Sequence, residues 1–327
     1  MALRTGCGTM SFKKHSMKAD NIDILRCPDC QGTLSIESDI IEKGEIKEGK
    51  LRCSCGKTYP ITEFIPRFTP TDAYVKSFSL EWTRHRVTQL DSANEDTESE
   101  ERFEANLDFP LEELEGKFVL DAGCGMGRFA EIVLKYGGKV VGADLSYAVD
   151  AAFKNMGVHK NAHFIQADLF RLPLKEGSFD IIYSLGVLHH TPDPRNAFLG
   201  LVKFLKPGGK ISVTLYSAYN KIYVGSTNFW RNFTTKIPPR LLYYICHISV
   251  PLYYLYKIPG VGKIGLGIFP INLHPSWRWR VLDTFDCYSP RYQSYHTHFE
   301  VFTWFDEAHL TNIRVLEHGV SFIGTKK

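Results

Sequence analysis

The stretch Val119-Leu120-Asp121-Ala122-Gly123-Cys124-Gly125-Met126-Gly127-Arg128-Phe129-Ala130 constrains this chain most. An apolar, β-branched run ends in a carboxylate, and a turn with glycine at alternate positions follows. A helix-like run, Arg128 to Tyr136, comes next. Glycine permits positive φ and lets backbone approach a ligand closely. A helix start offers unpaired N–H groups and the positive end of a dipole. The pattern is that of a strand, a cofactor-binding turn and a helix.

The surrounding sequence repeats the strand–helix alternation. Phe118–Asp121, Val140–Asp144, His163–Gln166, Asp180–Ser184 and Lys210–Tyr216 read as apolar strands, separated by helical stretches that include Ala148–Asn155 and Pro194–Leu205. Such alternation predicts an α/β fold, a parallel sheet covered on both faces. A dinucleotide fingerprint would need G-x-G-x-x-G. Here the spacing is Gly123-x-Gly125-x-Gly127, and Arg128 stands where the third glycine would fall. Asp121 suits a positive amine better than a pyrophosphate. Asp144 ends the second strand, where an acid can accept from both ribose hydroxyls. Asp168 ends the third and can accept from an adenine amine. Three strand-end acids describe a nucleoside joined to an amino acid, S-adenosylmethionine (SAM).

On these motifs the chain resembles the class I SAM-dependent methyltransferases of the small-molecule type. The others are Val141-Gly142-Ala143-Asp144-Leu145-Ser146, Ile165-Gln166-Ala167-Asp168-Leu169, Ser178-Phe179-Asp180, Val187-Leu188-His189-His190-Thr191-Pro192-Asp193 and Leu205-Lys206-Pro207-Gly208-Gly209. The resemblance covers residues 117–216 and implies a Rossmann-like sheet, mostly parallel with an antiparallel last strand. It assigns Asp121, Gly123, Gly125 and Gly127 to the methionine end of SAM, Asp144 with Leu145 to the ribose, and Asp168 with Leu169 to the adenine. Leu185 and Gly186 would line the sulfonium side. Arg128 would approach the cofactor carboxylate or serve packing. Glu300–Leu310 reads as the last helix, with Ile313–Glu317 and Val320–Gly324 as a closing antiparallel pair.

Residues 21–70 form a separate small unit. Cys27-Pro28-Asp29-Cys30 is a metal-type knuckle, and Cys53-Ser54-Cys55-Gly56 is a second. Two cysteine pairs can complete a Zn²⁺ tetrahedron and stabilise a unit with almost no core. The C-x-C spacing of the second pair departs from C-x2-C, so a metal-free ribbon is the alternative. Thr33–Ile36 and Leu51–Cys53 read as short strands around a charged turn, Glu42–Lys50. With Gly32, Leu34, Tyr59-Pro60-Ile61 and Ile65-Pro66, the segment resembles Trm112-like zinc ribbons. That implies a structural zinc on Cys27, Cys30, Cys53 and Cys55.

The remaining segments are less specific. Residues 1–20 read as a disordered start, with Met10 or Met17 as alternative first residues. Residues 71–115 read as a connector; methyltransferases of the resembled layout often carry an aromatic segment here, matched by Ser77, Phe78 and Trp82, which implies folding over the cofactor, against a simple packing role. Residues 116–216 are the SAM-binding core and 299–327 complete it. Between them, residues 217–298 form a long insert, read as a helical aromatic and basic cap in which Pro238, Pro239, Pro251 and Pro259 interrupt helices near Ile237–Leu255. The insert carries nine Lys/Arg against Asp283 and Asp286, so it holds +7 while the rest of the chain sums to −4. A solvated face, an anionic acceptor and an anionic surface are all consistent with that charge.

Methyl transfer from a sulfonium requires alignment, and for hydroxyl or ammonium acceptors a base. His190 is the first candidate base, against a capping role. Tyr288, Arg291, Tyr292 and His296, in the run Asp283–Gln293 and just after it, are candidates for the acceptor pocket, against a structural corner.

No apolar run reaches a membrane span, Leu241–Tyr256 being too short. Eight cysteines without a secretory leader suggest thiols or metal ligands in a cytoplasmic setting. The chain reads as a SAM-dependent methyltransferase. Its acceptor would be an O, N or S atom of a small metabolite, anionic ones included. The alternatives are an RNA methyltransferase, in which ribbon and cap read rRNA or tRNA, and a non-catalytic SAM-fold module that activates a partner. Weak membrane-surface contact by the cap is a further option.

Overall fold

The computed structural model describes residues 23–42, 45–69 and 74–327. The expected disordered start at 1–20 lies outside the described residues.

The N-terminal unit is a four-stranded antiparallel sheet in sequential order, β1 (Leu34–Glu42), β2 (Glu45–Cys53), β3 (Thr58–Thr62) and β4 (Ile65–Pro66). The segment read as a charged turn, Glu42–Lys50, is instead largely strand, with Ile41 paired to Ile46 and Glu37 to Lys50. The pleat explains the difference. Ile46 and Leu51 turn inward while charged side chains occupy outer positions, and Arg52 pairs across the ladder with Glu37 at 2.7 Å.

A connector follows, with α1 (Lys76–Arg84), α2 (Asp91–Asn94) and α3 (Glu98–Leu107). The core then alternates: β5 (Phe118–Ala122), α4 (Arg128–Lys135), β6 (Lys139–Asp144), α5 (Ala148–Met156), β7 (Ala162–Gln166), β8 (Phe179–Leu185), α6 (Pro194–Val202) and β9 (Leu205–Leu215). The helix expected to run to Leu205 ends at Val202. Pro207 and the left-handed Gly208 (φ 76°) cannot continue it, and Leu205 opens the next strand instead.

After β9 come five cap helices: α7 (Lys221–Thr234), α8 (Pro239–Cys246), α9 (Ser249–Tyr256), α10 (Val261–Ile268) and α11 (Trp277–Tyr288). Pro239 opens α8 at its first position and Pro251 sits in the first turn of α9, where a missing N–H costs nothing. Thr297 caps α12 (His298–Glu307) by accepting from the Glu300 N–H, and β10 (Thr311–Leu316) and β11 (Val320–Thr325) close the sheet.

The seven strands lie in the order β10-β11-β9-β8-β5-β6-β7. The five from β9 to β7 are parallel, and β11 enters antiparallel between β9 and β10. Alternate residues of each strand feed opposite layers. Leu120 joins Val141, Phe198 and Phe305 on one side, while Val119 joins Phe103, Ile132 and Val149 on the other. The chain reverses its direction of travel across the sheet between β5 and β8, which opens a crevice beyond their carboxyl ends. The glycine turn sits at that crevice.

The ribbon covers the β7 edge. Phe68 N–H donates to the Gln166 carbonyl at 2.8 Å, and Arg67 holds Gln166 Oε1 at 3.1 Å and Asp150 Oδ1 at 2.6 Å. On the same side Arg26 N–H donates to the Pro173 carbonyl, and Arg171 pairs with Asp29. An exposed strand edge is thereby protected. Among the described residues, no helix is long and apolar enough to cross a membrane.

Candidate active site and metal cluster

Beyond the carboxyl ends of the parallel strands lies a cavity of about 800 Å³. Strand ends form its floor, and α1 with the cap helices forms its walls. Asp121, Gly123, Gly125, Arg128, Asp144 and Leu145 line it, as do Asp168, Leu169 and Leu185.

The turn Gly123–Gly127 is braced from β6. Gly123 N–H donates to the Ala143 carbonyl at 2.8 Å, and Gly125 N–H donates to Asp144 Oδ2 at 2.9 Å. Gly127 does not line the cavity. It has φ 90° at the cap of α4, and a Cβ there would lie 2.1 Å from Met156 Cε. Its role is close packing of turn on helix.

Asp144 also accepts from the Ser146 N–H and hydroxyl at 2.8 and 2.6 Å, which fixes its carboxylate plane. Asp168 Oδ1 accepts from the Phe170 N–H at 3.0 Å. Asp121 differs from both. It is buried and its Oδ2 has no hydrogen-bond partner among the described residues. Burial, with Asp144 adding, pushes its carboxyl up to about 8.

Arg128 donates from Nε to Ser99 at 2.9 Å and stacks 4.9 Å above Trp279, leaving Nη2 unpartnered. Burial lowers its guanidinium to about 10. An orphaned carboxylate oxygen and an orphaned guanidinium nitrogen in one cavity fit the ammonium and carboxylate of an amino-acid ligand.

The opposite wall carries acids. Glu81 from α1, with Asp283 and Asp286 one turn apart on α11, line it and interact. Burial, reinforced by Asp286 and Asp283, drives the Glu81 carboxyl upward, and Asp283 is pushed up to about 7 by burial and then by Asp286. Asp283 Oδ2 accepts from Asn272 at 2.7 Å, whereas Glu81 Oε2 and Asp286 Oδ1 have no partner. The basic charge of the insert therefore does not make this wall basic.

His190 lies among these groups. Its Nδ1 is 3.1 Å from the Tyr292 carbonyl, which accepts only, so Nδ1 carries the proton. Nε2 is unpartnered and lies 3.9 Å from Asp286 Oδ1. Burial lowers the imidazole's proton affinity while Asp286 opposes the shift, and Tyr216 donates to Asp286 Oδ2 at 2.8 Å.

The other residues expected at the acceptor pocket do not line it. Tyr288 is buried, and its hydroxyl donates to the Pro270 carbonyl at 2.6 Å. His296 is held by Ser294 at 2.8 Å and Glu300 at 3.0 Å. Arg291 is exposed, and Tyr292 packs its ring against Tyr74 at 5.1 Å. This segment works through its backbone. Besides the Tyr292 carbonyl on His190, Ser294 N–H donates to the His189 carbonyl and His296 N–H to the Tyr216 carbonyl, at 2.9 and 2.8 Å. It thus pins the loops after β8 and β9. His189 stacks on Tyr216 at 3.7 Å, away from the cavity.

Sequence reasoning missed Glu81, Asp283 and Asp286 as lining groups. Their signal was positional. Asp283 and Asp286, one turn apart, are the first acids after Asp193, and Glu81 is an acid among the aromatics of α1.

In the ribbon, the sulfur atoms of Cys27, Cys30, Cys53 and Cys55 all lie within 4.8 Å of one another. Cys27 and Cys55 are 3.7 Å apart, and Cys30 and Cys53 are 3.4 Å apart. Tetrahedral Zn–S bonds of about 2.3 Å put sulfurs about 3.8 Å apart. The C-x-C pair converges because Cys53 ends β2 while Gly56, at φ 87°, folds the next turn back and donates to the Cys53 carbonyl at 3.0 Å. The donor set fits a closed tetrahedral metal.

Comparison with known proteins agrees with this geometry. Residues 120–213 match the family model described as a methyltransferase domain, and residues 20–63 match Trm112p-like protein. The core thus matches a methyltransferase domain. It stands behind a Trm112-like ribbon. Over 113 residues the chain is 34% identical to a ubiquinone biosynthesis O-methyltransferase of Coxiella burnetii, covering 34% of this chain and 48% of that protein. It is 30% identical over 175 residues to a tRNA U34 carboxymethyltransferase of Campylobacter curvus, covering 51% and 59%. A SAM-dependent methyltransferase structure from Mesorhizobium loti is 30% identical, with 38% of this chain and 55% of that one covered and a TM-score of 0.33. The chain thus spans about half the length of the curated relatives it matches.

Proposed function

We propose that this protein transfers the methyl group of SAM to a nitrogen or oxygen of a small molecule that presents an N–H or O–H to the acidic wall. The observation that carries the reading is the pairing of an orphaned Asp121 oxygen with an orphaned Arg128 nitrogen in the cavity where Asp144 and Asp168 stand at strand ends. Asp121 takes the ammonium of SAM and Arg128 its carboxylate. Asp144 with Leu145 holds the ribose, and Asp168 with Leu169 the adenine. SAM supplies the electrophilic methyl.

The chain's own residues supply alignment and a proton acceptor. Neutral His190 presents its Nε2 lone pair, and Asp286 presents an oxygen 3.9 Å away. Two acceptors at that separation leave room for one proton-bearing group between them. An acceptor hydroxyl or ammonium there gives its proton to Nε2, and Asp286 then stabilises the imidazolium. An anionic head at this wall would meet Asp286 at a like-charge cost, which argues against the anionic end of the expected range.

Zinc on the four cysteines is structural in this reading. The ribbon is bound to its own chain's sheet through Arg67, Phe68 and Arg26, which supports a scaffold in cis over an activator of another protein. Calorimetry tests the core claim: SAM binding by the wild type, abolished in Asp144→Ala, is expected. Absent binding, or unchanged binding in the variant, overturns it.

An RNA acceptor is the second reading, supported by the tRNA-modifying relative and by the basic insert. Salt-sensitive binding to tRNA, with methyl incorporation into it, would favour that reading.

A further inference from the structure

Methyl transfer does not account for the outer face of the cap. Sixteen of the twenty-five large apolar side chains exposed on the described chain lie between Tyr219 and Trp277. They are ordered. Ile222, Phe229 and Phe233 recur at seven and four along α7, a single stripe. Leu241, Tyr244, Ile245 and Ile248 recur at three and four along α8 and its exit, and Ile264 and Ile268 lie one turn apart on α10. The opposite face of α8 is already buried, with Leu242, Tyr243 and Cys246 packed against Val281 and Phe285. A helix apolar on both faces ordinarily has both covered. α7 and α9 both touch α10, since Ser226 and Trp230 of α7 both donate to the Ile268 carbonyl at 2.7 Å and α9 packs on α10 through Tyr256, while α8 joins them through α11.

The charge of this face is one-sided. No Asp or Glu occurs between Asp193 and Asp283. Lys221, Lys236, Arg240, Lys257, Lys263 and Arg278 are exposed, and none pairs with a carboxylate among the described residues. The face also reaches the cavity, since Ile222 and Lys263 line both.

We infer that the cap is a docking face for an anionic lipid surface, with α7–α10 seated in the interface and the cavity mouth turned toward it. Exposed aliphatic stripes gain from burial among acyl chains, and unpaired lysines and arginines gain from phosphate headgroups. Nucleic acid would satisfy the cations but leave the isoleucines in water. A second copy of the face would cover the isoleucines but bring like charges together. The acceptor is then an amphipathic molecule that offers its polar head to His190 while its apolar part stays in the bilayer. That last step alone rests on the methyl-transfer reading.

Vesicle flotation of the full chain tests the docking. Expected is flotation with equimolar phosphatidylcholine and phosphatidylglycerol, weakened by salt, and little with phosphatidylcholine alone. Each cation near an anionic surface contributes about fivefold, so Lys236→Glu with Arg240→Glu should lower partitioning by about 25-fold or more. Phe233→Ser with Ile245→Ser should lower it too. Both pairs are exposed and outside the cavity lining, so SAM binding by calorimetry should be unchanged. Absent flotation in a wild type that still binds SAM overturns the docking alone. Flotation without SAM binding upholds the docking and overturns the methyl-transfer reading instead. Salt-sensitive tRNA binding in place of flotation, or a dimer that hides the face, overturns the membrane as partner.

Discussion

His190 Nε2 stands 3.9 Å from Asp286 Oδ1, and neither atom has a hydrogen-bond partner among the described residues. Their elements are far apart in sequence, and the Tyr292 carbonyl and the Tyr216 hydroxyl orient the two side chains from behind. If His190 is the base, His190→Gln should lower kcat by about 100-fold or more with KM for SAM little changed.

The pH profile gives the pair its own test. Burial depresses the imidazole, so the base should stay unprotonated somewhat below the ordinary imidazole range, and kcat should fall only as pH drops through that lowered value. Asp286 opposes the depression, so Asp286→Asn should move the acidic limb further down in pH while lowering kcat. An acidic limb that moves up in this variant would contradict the arrangement.

Asp121 predicts a proton signature of ligand binding. Burial disfavours the charged form and pushes its carboxyl up to about 8. At pH 7 it therefore holds its proton. A bound ammonium stabilises the carboxylate, so binding SAM should release a proton and affinity should rise as pH increases from 6 to 8. Calorimetry in buffers of different ionisation enthalpy reads that release. Asp121→Asn should abolish it and cost about 2 kcal/mol of binding.

Much of this fold was legible because short-range physics wrote it. Val119, Asp121 and Gly123 declare a strand, a strand end and a turn within five residues. Asp144 and Asp168 repeat the strand-end pattern, and the alternation supplies the parallel sheet. The acceptor wall was not legible because it is assembled at long range. Glu81 reaches it from a helix far upstream of Asp283 and Asp286. The run 288–296 looked like a catalytic cluster by side chain, yet its hydrogen bonds to the loops after β8 and β9 come largely from backbone atoms at Tyr292, Ser294 and His296. A sequence displays side chains and hides where carbonyl groups point.

The two later glycines of the turn should separate by substitution. Gly125 has φ 51°, and its added Cβ would meet the Trp82 indole at 3.3 Å beside the cavity. Gly125→Ala should cost about 1–2 kcal/mol of stability for the left-handed backbone and weaken SAM binding. Gly127 has φ 90° and would drive a Cβ to 2.1 Å from Met156 Cε. Because that atom is the flexible end of its side chain and can shift aside, Gly127→Ala should cost about the same 1–2 kcal/mol, from its left-handed backbone. Met156→Ala removes a buried side chain and costs stability of its own, but that cost should be smaller in Gly127→Ala than in the wild type, whereas with Gly125→Ala the two losses should simply add. Thermal melts of the single and double variants check both statements.

The ribbon makes the last prediction. Metal analysis should find about one Zn per chain if the four sulfurs ligate it, and Cys27→Ser with Cys30→Ser should abolish it. Retained zinc in that variant would contradict the assignment. Arg67 separates metal binding from docking. It lies outside the cluster and ties the ribbon to Gln166 and Asp150 with its side chain mostly buried. Arg67→Ala should keep the zinc yet cost about 1–2 kcal/mol of stability. It should also raise hydrogen exchange along β7, whose edge the ribbon covers. Because Asp168 follows that strand directly, looser docking should weaken SAM binding modestly as well. Unchanged exchange at β7 in Arg67→Ala would mean that the sheet edge holds without the ribbon.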